Sequence, residues 1–515
     1  MNPNAISIDG PLVWSEVAAI GRGAALALSP GAAMRVAQGA ALVAAIVARG
    51  DRAYGVNTGV GALCNVIIDP ERQSALSRNI LMSHACGVGA PLSICETRAI
   101  MAAAINNYAH GRSGIRPDTV QRLLHLLNAD CIPLAPSRGS IGYLSHMAHI
   151  ALPLIGEGRV AWRGEILPGG AALRRLGLEP VVLRAKEGLS LVNGAPCATG
   201  LASVAQGRLQ RLLGWADAIA AMTFETIGAQ PVAFAAEPLS FRVSDGVGRV
   251  GTRLRALLAG SEILAAATLR TQDAMSLRAI PQVHGAAFEA WRSTGAVVDR
   301  ELASVNDNPI VAGTPDAPIV YSQAHPITTA LALALDGLGI AAAKIAAMAE
   351  RRIDRLVNPL VSGLPAFLAQ DGGVCSGLMI AQYTALSLVS ENRRLAAPAS
   401  LDGGVTSGLQ EDEIPHGTSA ALKTLQIIDN FETILAIELL AAAQAYEFQD
   451  AALARAPALD AIYRAVRQVI PSYGDDRPLS DDIAAAIAFL RRHEPPTNEP
   501  AGNEPGDGCA PSAVG

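Results

Sequence analysis

Apolar positions recur along most of this chain at three- and four-residue spacing, the period of one face of an α-helix, and the strict alternation of a half-buried strand is rare. Ser15 to Arg49 reads as amphipathic helix, interrupted at Ser29-Pro30-Gly31. From about Ala202 to Arg492 the helical period dominates, with alanine- and leucine-rich runs such as Thr329 to Leu356. The pattern predicts an all-α fold. Its expected parts are an N-terminal domain over residues 1–200, a long central helical bundle over 201–493, and a tail over 494–515. The tail is rich in Pro, Gly, Asn and Glu, cannot bury a core, and is expected to be disordered.

Composition narrows this picture. Half of the 515 residues are apolar but only 4% are aromatic, so the helices carry small side chains and can approach closely. Such alanine-rich stripes are too apolar for a monomer's surface, which predicts a homo-oligomer. No stretch of about eighteen apolar residues runs without charged or turn residues, and the N-terminus has no basic segment before an apolar one. Neither a membrane span nor a signal peptide is expected, and the predicted location is cytoplasmic. Seven cysteines without a C-x-x-C pair fit reduced thiols better than a disulfide framework or a zinc ribbon. A net charge of −6 gives no support to nucleic-acid binding. The three lysines, Lys186, Lys344 and Lys423, stand among many arginines and are read as composition rather than chemistry.

Several polar stretches could carry chemistry. Tyr54-Gly55-Val56-Asn57-Thr58-Gly59-Val60-Gly61 is a loop by its glycines, and composition alone makes it a surface turn. His84, beside small residues, reads first as a satisfied structural group, Arg278 as a surface ion-pair donor, and Glu411-Asp412-Glu413 as a solvated acidic cluster. Arg138 to Gly158 packs Gly139, Ser140 and Gly142 closely before an apolar helix, placing backbone N–H groups at a positive helix end. By itself it is either a site or a tight packing turn. His146 and His149 share a helix face there, but no third ligand is near in sequence, which disfavours a metal hydrolase.

Gly139-Ser140-Ile141-Gly142 followed by Leu144-Ser145-His146-Met147-Ala148-His149-Ile150-Ala151-Leu152 resembles the signature of the histidine and aromatic amino acid ammonia-lyases. Further motifs follow in the family's order from Ala53 to Tyr446. The resemblance implies an all-α, histidine ammonia-lyase-like fold whose N-terminal domain carries the active site, assembled as a homotetramer acting on a small molecule. It implies Tyr54 as catalytic base and His84 as a contact to an imidazole-type ring. Glu187-Gly188-Leu189-Ser190-Leu191-Val192-Asn193-Gly194 is similar to the turn whose asparagine, here Asn193, reaches the site. Gln272-Asp273-Ala274-Met275-Ser276-Leu277-Arg278 is similar to the segment whose arginine clamps the substrate carboxylate, with Gln272 at its start. Asn306-Asp307-Asn308-Pro309 resembles a family turn, and Glu411 falls where histidine lyases face the imidazole.

Four departures lie on the implied site. The family loop continues from its second glycine into Ala-Ser-Gly, which closes into the electrophilic methylidene-imidazolone group (MIO), whereas Gly142 runs directly into Tyr143. Met275 replaces a tyrosine, Pro196 a glutamine and Ala324 a phenylalanine. Lost together around one group, these suggest a rebuilt site similar to the MIO-lacking branch, ergothionase, which eliminates trimethylamine from the betaine ergothioneine. A quaternary nitrogen has no N–H to compete with the β proton, so a positioned base suffices. The expectation is therefore a C–N lyase with no cofactor, MIO entering only if an Ala-Ser-Gly had followed Gly142 and closed into one group. Tyr143 is either a wall for the cation or a plug in the vacated space, and Ala324 adds room. The alternatives are a histidine ammonia-lyase, making urocanate and ammonia, and a non-catalytic homologue, which the retention of Tyr54, Asn193, Arg278 and Glu411 argues against.

Overall fold

The computed structural model describes residues 5–267, 271–401 and 403–496; the expected tail lies outside them from residue 497 onward. Helix takes up 61% of the chain, and strands among the described residues form only four small sheets, so the all-α expectation holds. The interruption at Ser29-Pro30 is a helix start. Ser29 Oγ accepts the Ala32 N–H at 3.1 Å, Pro30 opens the helix Pro30–Arg49, and Gly50 ends it in the left-handed conformation at φ 71°. Before it, Ile6–Ile8 pairs in parallel with Leu26–Leu28, strands too short for their period to register in the sequence.

The chain divides into two compact units. The first comprises Met1–Gln210, Ala290–Ala343 and Glu391–Asp429. At its centre stands the helix Ile94–Ala109, capped by a reciprocal Ser93–Glu96 box and buried from Thr97 to Ala109. Its polar residues serve as staples. Arg98 donates to the carbonyls of Ile20, Leu127 and Ala24 at 2.9, 2.9 and 3.1 Å, and Asn106 joins the Leu12 N–H to the Leu302 carbonyl. Asn106 thus holds the fold. The helix Pro30–Arg49 buries Leu42, Val43 and Ile46 against Ala53, Val56 and Val311, which fixes the start of the loop carrying Tyr54.

The second unit comprises Arg211–Glu289, Lys344–Ser390 and Asn430–Gly515. Its interior holds a fully buried ion pair: Arg352 Nε and Nη2 meet Glu438 Oε1 and Oε2 at 2.6 and 2.9 Å, and Thr223 Oγ1 donates to the same carboxylate at 2.9 Å. Removing one partner would strand the other charge without water. Arg352→Met is expected to cost about 3–5 kcal/mol of stability, read as a lowered denaturation midpoint at unchanged m-value. Two helices, Pro30–Arg49 and Thr329–Val357, are long and apolar enough to cross a membrane by length and composition, and 33% and 56% of their apolar windows are buried inside the structure. All six cysteines among the described residues are free thiols.

Candidate active site

The loop after Arg49 is shaped by its own side chains. Asn57 Oδ1 accepts the Ala53 N–H at 2.9 Å and its amide donates to the Asp51 carbonyl, while Thr58 Oγ1 accepts from Gly55 N at 3.1 Å. Gly55, at φ 64°, has the backbone conformation that favours glycine, and a Cβ there would fall 2.3 Å from Leu189 Cδ2, so a side chain would be strained and would displace Leu189. That contact seats the loop on the short helix Glu187–Val192 and leaves Tyr54 half-buried at its edge. The Tyr54 hydroxyl accepts the Gly61 N–H at 3.3 Å. Burial raises the phenol above its ordinary range; the Gly61 N–H pulls the other way, and the charges of Glu411 and Cys64 add to the rise.

Glu411 closes a small hairpin, pairing with Thr406 in both directions at 2.9 and 3.3 Å. The hairpin is tied to the Tyr54 loop where Ser407 Oγ accepts the Ala62 N–H at 3.2 Å. Tyr143 belongs to the same group: burial raises its phenol, and Glu411, Asp307 and Tyr54 raise it further, in that order. Tyr54, Tyr143 and Glu411 therefore share one local field, and both phenols keep their protons at neutral pH.

The glycine-rich loop resolves into a capped helix start. Ser140 Oγ accepts from the backbone of Ser145 and His146 at 3.1 and 3.2 Å and pairs with His146 Nδ1 at 2.8 Å, while His149 Nε2 accepts the Gly87 N–H at 3.0 Å. Both histidines are engaged in holding the loop. Among the described residues no group of three metal-ligating side chains is arranged to hold an ion. Gly142 packs on the segment after Glu411, where a Cβ would fall 2.9 Å from Pro415 Cγ.

Asn193 ends the helix Glu187–Val192, and Lys186, in the left-handed conformation at φ 65°, begins it. Both reach Asp307. Asn193 Nδ2 donates to Asp307 Oδ1 at 2.9 Å and to the Asn308 carbonyl, and Lys186 Nζ meets Asp307 Oδ2 at 3.1 Å. Gln323 Nε2 donates to the Asp307 carbonyl at 2.7 Å, which places Ala324, an exposed residue, next to this turn. The predicted residues Tyr54, Tyr143, Glu411, Asn193 and Ala324 thus belong to elements joined by direct contacts.

His84 lies on a helix that packs on Glu187–Val192, where Ser77 Oγ donates to the Arg184 carbonyl at 2.6 Å. It ends the helix Gln73–His84, its Nδ1 lies 3.1 Å from Ser83 Oγ, and burial lowers its pKa against the opposing Ile80 carbonyl, so the ring is neutral at pH 7. Gln272 and Arg278 lie in the second unit. With its amide turned so that oxygen faces the guanidinium, Gln272 accepts from Arg278 Nη1 and Nη2 at 3.0 and 3.3 Å, and Arg278 Nε is buried with no partner among the described residues. Met275, between them, is exposed.

A glycine-capped tyrosine loop, a short helix ending in asparagine and a Gly-Ser-x-Gly helix start, gathered with a carboxylate, is the arrangement the sequence motifs implied. The family's model, aromatic amino acid lyase, matches residues 12–468. The chain belongs to that family. It is 44% identical over 495 residues to a histidine ammonia-lyase of Symbiobacterium thermophilum, covering 95% of this chain and 97% of that one. It superposes on the crystal structure of histidine ammonia-lyase from Trypanosoma cruzi with a TM-score of 0.86 at 36% identity, covering 94% and 93% of the two chains. Ergothionase from Treponema denticola superposes with a TM-score of 0.87 over 95% and 98%, at 26% identity.

These findings make the chain a carbon–nitrogen lyase of the ammonia-lyase family. They correct two expectations. The ergothionase-like branch gains no support, since sequence similarity runs higher to histidine ammonia-lyases than to ergothionase. The expectation of no cofactor is overturned by the family itself, whose histidine ammonia-lyases use MIO formed from Ala-Ser-Gly. The residues of this loop do not supply that precursor: Gly142 is bonded to Tyr143, and Ala-Ser-Gly occurs nowhere in the chain. No chemical step is therefore routed through the group.

Lys186 and Asp307 form a buried ion pair that the sequence did not disclose, although Asp307 lies in a turn that resembles the family's. The available signal was a lysine directly before Glu187-Gly188 in a chain with only three lysines.

Proposed function

We propose that this lyase acts on histidine, giving urocanate and ammonia. The observation that carries the reading is 44% identity to a histidine ammonia-lyase over nearly the whole of both chains. On this reading Tyr54 takes the β proton, Glu411 and His84 hold the imidazole, Asn193 and Gln272 contribute polar contacts, and Arg278 binds the carboxylate. The raised phenol of Tyr54 is a strong base once ionised, and the Gly61 N–H steadies the phenolate. A second reading, loss of trimethylamine from ergothioneine or a related histidine betaine, is favoured by the direct Gly142–Tyr143 junction and by the small Ala324. A trimethylammonium leaves without any activation of an N–H, and Tyr143 then faces the cation.

Offering purified protein histidine, ergothioneine and hercynine separately distinguishes the two. Urocanate and ammonia from histidine are expected. Trimethylamine release from a betaine with histidine inert would replace this reading by the second. An intact mass, compared with that of the 515-residue sequence, reports on the Gly142–Tyr143 junction independently of activity.

The family's members are oligomeric enzymes acting on small molecules, and the proposed assembly is a homotetramer located in the cytoplasm. The exposed Leu333 and Ile340 on one long helix and Ile380, Tyr383 and Leu386 on another support burial between subunits. Light scattering at micromolar concentration is expected to give four chains, and a monomer would refute the assembly.

A further inference from the structure

Lys186 is fully buried, and its ammonium spends its three protons on Asp307 Oδ2 at 3.1 Å, the Ser113 carbonyl at 2.7 Å and Ser190 Oγ at 3.1 Å. Asp307 is buried with it. Its other oxygen, Oδ1, accepts from Asn193 Nδ2 at 2.9 Å and from the Asn308 N–H at 2.8 Å. Lys186 and Asn193 are the two caps of one six-residue helix, so a single carboxylate is gripped from both ends of that helix. The helix itself cannot slide. Glu187 accepts from Arg116 Nε and Nη2 at 3.0 and 2.6 Å, from Thr119 Oγ1 at 2.6 Å and from Arg184 N at 2.8 Å.

The consequence falls on the carboxamide of Asn193. Both hydrogen bonds made by its Nδ2 go to acceptors of the 307–308 turn, which leaves only one orientation in which the amide is satisfied. Its oxygen is then left as an acceptor, with no partner among the described residues. A neutral or absent group at position 307 would release the amide to rotate, exchanging donor for acceptor at the same place. An isolated buried carboxylate, in turn, would not stay ionised without a cation against it.

We infer that Lys186 is a positioning residue: by pairing with Asp307 and fixing it in place, it locks the Asn193 carboxamide with its oxygen toward the substrate. The inference rests on the reading of Asn193 as a substrate contact. A pair that served stability alone would make a different prediction, because replacing a buried ion pair by apolar residues of similar volume commonly preserves folding.

The test compares kcat, KM and melting temperature for Asn193→Ala, Lys186→Met, Asp307→Glu and the double variant Lys186→Met/Asp307→Leu, with histidine and ergothioneine as substrates. Asn193→Ala is expected to lower kcat by about tenfold to a hundredfold, the usual effect of a misplaced contact. Lys186→Met lowers both melting temperature and kcat. In the double variant the melting temperature recovers while kcat stays at the Asn193→Ala level, and adding Asn193→Ala to it costs nothing further. Asp307→Glu keeps the ion pair but moves the acceptor by one methylene; it is expected to hold its fold and lose kcat, so the inference is tested even if the double variant does not fold. Recovery of kcat together with melting temperature in the double variant, or full kcat in Asp307→Glu, overturns the inference. Undiminished kcat in Asn193→Ala itself overturns instead the reading on which it rests.

Discussion

Tyr54→Phe is expected to lower turnover by about a hundredfold or more while leaving KM and melting temperature nearly unchanged. The ring that packs at the edge of the 54–61 loop is retained, and the only hydrogen bond lost is the one accepted from Gly61 N. On the proposed reading, what disappears is the proton acceptor. The pH profile gives a second, independent readout. Burial is the first cause of the raised phenol, and the Glu411 and Cys64 charges add to it, so the phenolate is a minority form at neutral pH. Activity that needs the phenolate therefore climbs with pH, roughly tenfold per unit, toward a limb above the ordinary tyrosine range. Glu411→Gln removes one of the raising charges, and the limb should move to lower pH whatever happens to its height. Steady-state kinetics from neutral to alkaline pH check both, and a wild-type limb that survives in Tyr54→Phe assigns the base elsewhere.

The helices were legible because their causes are local. A three- to four-residue apolar period, Ser29-Pro30 at a helix start and Gly50 at its end are all readable along the chain, and Thr329 to Leu356 falls within the helix Thr329–Val357. The small sheets were not legible, because Ile6–Ile8 and Leu26–Leu28 are three residues each and owe their pairing to the helix Trp14–Gly21 between them, not to any alternation of their own.

The site divides along the same line. Tyr54, Asn193 and Glu411 could be named because each sits in a motif of adjacent residues, and the loop character of 54–61 follows from Asn57 and Thr58 bonding to backbone within six positions. Lys186 and Asp307 are 121 positions apart, and neither carries a sign of the other in its own neighbourhood. Composition even pointed away from Lys186, since three lysines among many arginines look like codon usage. A lysine whose three protons are all taken inside the core is a specific requirement, and only the fold reveals it. His146 and His149 were disfavoured as metal ligands for want of a third, and Ser140 and the Gly87 N–H account for the two rings as struts of the glycine loop.

Arg278→Lys and Arg278→Met should raise KM by about tenfold and about a hundredfold respectively, in keeping with the loss of one or two hydrogen bonds made by a charged group. The guanidinium is already oriented. Gln272 Oε1 takes one N–H each from Nη1 and Nη2, and Nε is buried with no partner among the described residues. A guanidinium can offer a planar carboxylate two parallel charged donors. Lysine restores the charge but not the fork, so it recovers part of the affinity and none of the second hydrogen bond. Turnover at saturating substrate should fall less than KM rises, because the carboxylate is bound in ground state and transition state alike. Histamine, which has the imidazole and amine of histidine without the carboxylate, supplies the control: its inhibition constant should be the same for wild type and Arg278→Lys. A histamine constant that worsens as much as the histidine KM would mean that Arg278 shapes the pocket rather than binding the carboxylate.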